Sequence, residues 1–512
     1  MNFLADQNVL VLGLGASGLA LARWCVRCGA RVTVADTRPT PPQLASLQAQ
    51  VPSAVFVCSD MGAALMETAR FDMVLKSPGL SPASVAGVVG AAQARGVACG
   101  NELSLFAHAL ADLKDGQAYA PQVIGITGTN GKTTVTSLTG KLVERAGKTV
   151  AVAGNIGPTL LDTLSDQLDA ARDGQPLPDV WVLELSSFQL DGVSNFEPTV
   201  ATVLNVTQDH LDWHGTLAAY NAAKARVYGA TGVMLLNRDD SLVMQAVPAL
   251  VKGKAVRACL TFGGDEPKRP GDYGIETVNG MAWLARAAEA DETLKRRKGA
   301  EEEVVYIQRL MPLDALRIRG RHNATNALAA LGLAVAAGCS MGPMLHSLRD
   351  YRGEPHRVES VAVIHDVEYF DDSKGTNVGA TVAALAGLGT DRKLVVILGG
   401  EGKGQDFAPL ADPVMRYVRA VVLIGRDAPL IRAALQRCQQ EAGVVLLDAD
   451  SMAHAVTLAA RQAQTGDAVL MSPACASFDM FDNYEHRAHV FCDAVLALAD
   501  LGSAAPDGAD IP

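Results

Sequence analysis

The 512-residue sequence contains no apolar run of the roughly 20 residues that a membrane-spanning helix needs. Its longest, Ala327 to Cys339, is shorter and alanine-rich, and reads as a buried helix. An excess of positive charge is also missing. Lys and Arg total 44 against 55 Asp and Glu, a formal net charge of -11, so no global positive field exists to hold a nucleic-acid backbone or an anionic membrane. No nucleic acid and no membrane are therefore expected as partners. The N-terminus lacks a basic region followed by an apolar one and runs straight into a strand, so no secretory signal is read and the expected location is the cytoplasm. Nine cysteines, an odd number without regular spacing, are poor material for a disulfide framework. Cys25 and Cys28 form a C-x-x-C, but in an amphipathic stretch where i and i+3 share one helix face. With no second pair to complete four metal ligands, they read as core.

Hydrophobic residues at 49% and charged residues at 19% describe a globular chain, and at roughly 150 residues per domain the length suggests three domains. Short Val- and Ile-rich runs recur, each ending in a small or polar residue and followed by a helical pattern: Asn8 to Gly13, Arg31 to Asp36, Gln122 to Thr127, Thr149 to Gly154, Val180 to Ser187, Val200 to Thr207. The rhythm returns with Val361 to His365, Leu394 to Gly399, Ala420 to Gly425, Val444 to Asp448 and Ala468 to Ser472. Continuous rather than alternating hydrophobicity means strands covered on both faces, as in parallel sheets wrapped by helices. The expected fold is α/β with domains over 1-99, 100-353 and 354-512, the boundaries lying near Gly100 and near the interruption Arg352, Gly353, Pro355. Gly263 to Glu303, rich in Gly, Pro and blocks of charge, reads as an exposed insertion with little regular structure, and Ser503 to Pro512 as a disordered tail.

The strand Gln122 to Thr127 leads into Gly128-Thr129-Asn130-Gly131-Lys132-Thr133-Thr134 and then a helical pattern. Glycines let consecutive N-H groups face one concavity, the helix N-terminus adds its positive end, Lys132 supplies a point charge and Thr133 a hydroxyl for Mg2+. The loop is a variant: Ile126 stands where the usual pattern starts on glycine, with Gly125 one place earlier. A second glycine motif, Gly13-Leu14-Gly15-Ala16-Ser17-Gly18, follows the first strand, and Asp36 ends the next, placed to accept from a ribose hydroxyl. Taken alone the motif favours a nicotinamide dinucleotide, but a UDP-sugar also offers the diphosphate and the ribose, so the loop specifies a nucleotide diphosphate rather than nicotinamide. Glu184 lies at the carboxyl end of a strand, where parallel sheets place ligands, and Asp209-His210 follow the next strand, so a hard cation could be held there.

The strings GTNGKTT at Gly128, ELSSFQL at Glu184, NVTQDHLDWH at Asn205, GRHNATNALAA at Gly320, PHRVE at Pro355, DDSKGTN at Asp371, LGGEGKG at Leu398 and SPACASFDMF at Ser472 together resemble the Mur ligases. The resemblance runs from Gly13 to Tyr484. It implies a Rossmann-like N-terminal domain, a central P-loop ATPase-like domain and a Rossmann-like C-terminal domain. ELSSFQL, SPACASFD and GLGASG look most like the members that add D-glutamate to UDP-N-acetylmuramoyl-L-alanine in peptidoglycan synthesis, with ATP and Mg2+ as cofactors and a monomeric chain. By the same resemblance, Gly15, Ala16, Ser17, Asp36, Thr37, Arg38, Ser77 and Gly79 would hold the uridine diphosphate, and Asn155 would meet the substrate between domains. Gly128 to Thr134 would hold the ATP phosphates, with Lys132, Glu184, His210 and Lys224 catalytic. Thr133 would hold one Mg2+ with Glu184 bridging and His210 would serve the second, with Lys224 a metal ligand as its carbamate, an anionic oxygen ligand that forms from the neutral amine. Asn323, Asn326, Arg357 and Asp372 would hold the adenosine; Lys374, Thr376, Lys403, Ser477, Phe478 and Tyr484 would form the D-glutamate side. Tyr484 and Glu401 depart from the usual Phe and Asp, and Gly263 to Glu303 is longer than usual.

Three other classes compete. A nicotinamide oxidoreductase leaves the Lys132 loop unexplained, an ATP-driven switch leaves SPACASFD and the second glycine motif unexplained, and a folate ligase has no UDP group for GLGASG to hold.

Overall fold

The computed structural model describes residues 3–289, 305–390 and 392–503. The charge block Lys295 to Lys298 with Glu301 to Glu303, and the tail beyond Ser503, lie outside the described residues. Three sheets follow one another along the chain.

The first contains β1 (Asn8–Leu12), β2 (Arg31–Asp36), β3 (Val55–Cys58), β4 (Met73–Lys76) and β5 (Ala98–Gly100), all parallel, in the order β3-β2-β1-β4-β5. The order reverses at β1, so the Gly13–Gly18 turn opens at a topological switch point, where such sheets bind ligands. The helix Ala16–Arg27 then buries Leu19, Leu21, Trp24 and Cys25. Cys25 and Cys28 are free thiols in that core, and burial pushes Cys28 up to about 11. The helix Glu102–Gln117, started by an Asn101 and Ser104 capping box, leads to the next domain.

The central sheet holds β6 (Gln122–Thr127), β7 (Val150–Gly154), β8 (Val180–Glu184), β9 (Val200–Val203), β10 (Val233–Asn237), β11 (Cys259–Phe262), β12 (Tyr273–Val278), β13 (Met281–Glu289) and β14 (Val305–Pro312). Its order is β14-β13-β12-β11-β10-β9-β6-β8-β7. Here the switch point is β6, flanked by β8 and β9. Two sequence expectations are corrected. Gly263 to Glu303 is not an unstructured insertion over its described part: β12 and β13 pair antiparallel around Asn279 (φ 50°) and Gly280 (φ 80°). Asn-Gly supplies the two positive φ values of a two-residue hairpin turn, and Leu284, Ala285 and Ala287 on β13 are fully buried. The nearby charge blocks obscure this alternating pattern in the sequence. The strand expected to reach Thr207 ends at Val203, because the chain then pairs with the loop after β6: Thr129 N-H donates to the Asn205 carbonyl at 2.9 Å.

The run Ala327 to Cys339 lies mostly in the helix Arg321–Ala336, buried against the central sheet. The third sheet has β15 (Glu359–Ile364), β16 (Val367–Asp371), β17 (Leu394–Gly399), β18 (Val418–Ile424), β19 (Val445–Asp448) and β20 (Ala468–Met471), ordered β15-β16-β20-β17-β18-β19 with only β15 antiparallel. The loops after β16, β17 and β20 carry DDSKGTN, LGGEGKG and SPACASFD at one edge.

Candidate functional site

The loop after β6 is shaped by glycine. Gly128 (φ 157°) has Leu204 so close that a Cβ would lie 2.9 Å from its Cβ; at Gly131 (φ 82°) a Cβ would lie 2.9 Å from Asn326 Oδ1. Neither site has room for a side chain. The helix Lys132–Arg145 starts at Gly131, so its unpaired N-H groups face this loop. Lys132 Nζ folds back onto the Gly128 and Thr129 carbonyls, 2.9 Å from each. Burial pushes its amine below the ordinary lysine value, opposed by the Glu184 charge.

Glu184 ends β8 and is buried. Asn155 Nδ2 donates to its Oε1 at 2.7 Å, while Oε2 is buried without a hydrogen-bond partner. Lys224, on the helix Leu217–Ala225, is only 1% exposed. Its Nζ donates to the Gly128 carbonyl at 2.8 Å and lies 4.4 Å from the Tyr220 ring centre. Burial, reinforced by the Lys132 charge, pushes this amine well below the ordinary lysine range. Two amines thus converge on one carbonyl. His210 caps the short helix Leu211–His214 at φ 52°, its ring 4.7 Å from Phe188, and burial lowers its pKa against the pull of Asp209.

A cleft of about 210 Å³ beside this loop is bordered by Asn323, Asn326, Arg357 and Asp372, so the four residues expected around adenosine do come together. Asn323 and Asn326 sit one helical turn apart and share a 3.1 Å amide hydrogen bond. Arg357 Nη2 donates to Thr133 Oγ1 at 2.9 Å, bringing the third domain onto the loop. Burial raises the Asp372 carboxyl to about 7, although Ser472 Oγ donates to it at 2.7 Å.

In the first domain Asp36 departs from expectation. Rather than offering its carboxylate to a ribose, it is 2% exposed and turned inward. Leu14 N-H donates to Oδ2 at 2.8 Å, and Arg38 donates through its backbone N-H and its guanidinium at 2.8 to 2.9 Å. The Arg38 hydrogen bonds hold this carboxyl well below the usual range, although burial opposes them. Ser77 Oγ donates to the Gly13 carbonyl at 3.0 Å, tying β4 to the same turn. Gly15 begins the helix Ala16–Arg27 and leaves Ala16 and Ser17 in its first turn; Thr37, Arg38 and Gly79 are exposed around it. In the third domain Lys374 Nζ lies 5.0 Å above the Tyr484 ring, and Lys403 (φ 51°) lies 5.7 Å above Phe478. Ser477 is buried beside them and Thr376 half-buried.

Three family models match this chain: a Mur ligase MurD-like N-terminal domain over residues 7–100, a Mur ligase middle domain over 126–334 and a Mur ligase glutamate ligase domain over 356–475. The chain belongs to the Mur ligase family. A protein of Albidiferax ferrireducens named UDP-N-acetylmuramoylalanine--D-glutamate ligase is 66% identical, over 99% of this chain and 100% of its own. One of the same name from Ralstonia nicotianae is 56% identical over 97% and 98%. Among solved structures, the MurF ligase of Thermotoga maritima in complex with ADP shares the fold at a TM-score of 0.56, with 16% identity over 97% of each chain.

In this Mur ligase, sequence reading passes over several residues of the site. Asn205 grips Asn130 at both backbone ends, accepting from its N-H at 2.8 Å and donating to its carbonyl at 3.1 Å. Tyr220 donates to Thr129 Oγ1 at 3.3 Å. Arg487, fully buried on the helix Tyr484–Ser503, donates to the Ser373 hydroxyl and carbonyl and to the Cys475 carbonyl, joining the loops after β16 and β20. An arginine in line, at four-residue spacing, with Phe491 and Val495 on the apolar stripe of this helix is the available signal.

Proposed function

We propose that this chain is the Mur ligase that joins D-glutamate to UDP-N-acetylmuramoyl-L-alanine, using ATP and releasing ADP and phosphate in peptidoglycan precursor synthesis. The observation that carries this reading is the 66% identity, along practically the whole of both chains, to a protein bearing that enzyme's name. The proposed location is the cytoplasm, the proposed state a monomer; no helix among the described residues is long and apolar enough to cross a membrane.

The substrate carboxylate must attack the γ-phosphate of ATP, anion against anion, to give an acyl phosphate and ADP; the amine of D-glutamate then attacks the acyl carbon and phosphate leaves. Lys132 and the N-H groups of Gly128 to Thr134 are proposed to hold the phosphates, and Asn323, Asn326, Arg357 and Asp372 the adenosine. Gly15, Ala16, Ser17, Thr37, Arg38, Ser77 and Gly79 are proposed to hold the UDP group, with Asp36 shaping their loop, and Asn155 to reach the substrate from the central domain. Lys374, Thr376, Lys403, Ser477, Phe478 and Tyr484 are proposed to receive D-glutamate, whose two carboxylates need cationic and hydroxyl donors.

Mg2+ fits the donors present. Glu184, whose charge acts on Lys132, keeps one buried carboxylate oxygen without a protein donor; the other donors available are the Thr133 hydroxyl, the His210 imidazole with its lowered pKa and the buried Lys224, whose amine is driven toward the neutral form that carbamylation needs. Thr133 with bridging Glu184 would hold one Mg2+ and His210 a second, with carbamylated Lys224 as an oxygen ligand, and this charge would offset the repulsion between carboxylate and triphosphate. The test is to follow phosphate and amide together with ATP, Mg2+, UDP-N-acetylmuramoyl-L-alanine and a panel of D- and L-amino acids. Amide from D-glutamate alone is expected; efficient use of an L-amino acid instead would overturn the reading.

A further inference from the structure

The seam between the central and third domains contains a contact that the roles above leave unused. Asn377 caps the helix Val378–Leu388, its Oδ1 accepting from Ala380 N-H at 2.9 Å. The same side chain faces the loop after β6. Asn130 Nδ2 donates to Asn377 Oδ1 at 3.2 Å, and Asn377 Nδ2 donates to Asn130 Oδ1 at 3.0 Å, a reciprocal amide pair between residues 247 apart in sequence. Asn377 Nδ2 also lies 3.5 Å from Asp209 Oδ2, in the segment that carries His210. Asn377 is 5% exposed. The seam around it is tight: a Cβ on Gly379 would lie 2.7 Å from Thr207 Oγ1.

The chemistry of the pair is specific. Each side-chain amide has an NH2 that donates and a carbonyl oxygen that accepts, and the reciprocal pair uses one of each from both residues, so it forms only when the two domains hold one relative position. Asn205 holds the Asn130 backbone at both its N-H and its carbonyl, so the loop itself does not follow a displaced partner. On the other side, Asn377 directly follows Thr376 in the segment proposed to receive the amino acid. Interfaces between domains of one chain are commonly mobile, so a contact made in one docked position reports that position.

We infer that Asn377 is a positioning residue: through Asn130 and Asp209 it registers the docking of the amino-acid domain at the phosphate loop, so that the acyl phosphate forms where the amine can reach it. This rests on the ligase reading. Without the latch the acyl phosphate is left to water. The water oxygen adds to the acyl carbon, the bond from that carbon to the phosphate oxygen breaks, and the substrate carboxylate and phosphate are released with the water's protons, without amide.

Asn377→Ser tests this, since a serine hydroxyl still caps the helix but cannot make the reciprocal pair. Its thermal midpoint should stay close to wild type and its KM for UDP-N-acetylmuramoyl-L-alanine should stay within about twofold. Its kcat should fall about tenfold or more, the scale expected for small misplacements of reacting groups, with more phosphate released than amide formed. Asn377→Asp keeps the cap and sets a carboxylate against Asn130 Oδ1 and Asp209, and should act in the same direction more strongly. Small-angle scattering supplies a readout apart from turnover: compaction on adding a non-hydrolysable ATP analogue should be smaller in both variants than in wild type. Wild-type compaction, or phosphate and amide still formed one to one, would overturn the inference. Failure of the wild type to use D-glutamate would sink the ligase reading instead, with the scattering comparison still deciding the latch.

Discussion

Replacing Asp36 by Ala separates two ideas about the first domain: a carboxylate that touches the ligand, and one that builds the loop that does. Its oxygens accept from the buried Leu14 N-H at 2.8 Å and from Arg38 through one backbone and two guanidinium donors. The Leu14 bond is buried and charge-assisted, and losing its acceptor costs about 1.5–3 kcal/mol. The guanidinium pair adds only about 0–1 kcal/mol, because the Arg38 side chain is 54% exposed and screened by water. The first domain should therefore lose about 1.5–4 kcal/mol. The Gly13–Gly18 turn loosens, and affinity for the UDP substrate should fall at least about tenfold, the equivalent of about 1.4 kcal/mol, while the KM for ATP stays unchanged. Asp36→Asn keeps an acceptor for Leu14 and should recover much of the stability. The carboxyl is held low by Arg38, so the sign is that of a depressed acid. Its contribution is complete above the unfolded pKa of about 3.9 and is lost as pH falls through the lower folded value. Calorimetric titration with the UDP substrate and thermal unfolding at pH 7 and below pH 4 measure both effects. An Asp36→Ala protein of wild-type stability and wild-type affinity would refute the loop-building role; equal losses for ATP and the UDP substrate would refute separate nucleotide sites.

Lys132→Ala should lower amide formation by about a thousandfold or more with the thermal midpoint nearly unchanged, since it removes the phosphate's charge partner and little packing; normal turnover would remove the ATP-loop assignment. Lys224→Ala should lose activity and regain part of it with added acetate, which a purely structural lysine would not show. Because burial lowers the Lys224 amine, the unfolded chain binds one more proton between that folded value and about 10.4, so stability rises with pH across that window; Lys224→Met should flatten the rise in chemical denaturation. Lys403→Ala should raise the D-glutamate KM about tenfold and leave the UDP-substrate KM alone, and an unchanged D-glutamate KM would remove Lys403 from that side of the site.

Much of this protein is written in short stretches of its sequence. A strand running into glycines and then a helix produces a phosphate loop by local backbone rules, so Gly128 to Thr134 and Gly13 to Gly18 are legible in the chain's own order of residues. The apolar runs locate the three sheets because continuous hydrophobicity reports strands covered on both faces. The β12–β13 hairpin has a local signal too, Asn279-Gly280 between alternating residues, but the nearby charge blocks mask it. What periodicity cannot encode is which way a polar side chain turns once domains meet. Asp36 at the end of β2 could have faced a ligand or its own loop, and the donors of Leu14 and Arg38 decide for the loop. Periodicity gives Lys224 only a place in a helical pattern; helix and phosphate loop together enclose it, and its amine then takes its proton affinity from burial and from Lys132. Asn130 and Asn377, and Arg487 with Ser373, meet across more than a hundred residues. Burial, pairing and proton affinity are sums over such distant neighbours, and only the folded chain brings those neighbours together.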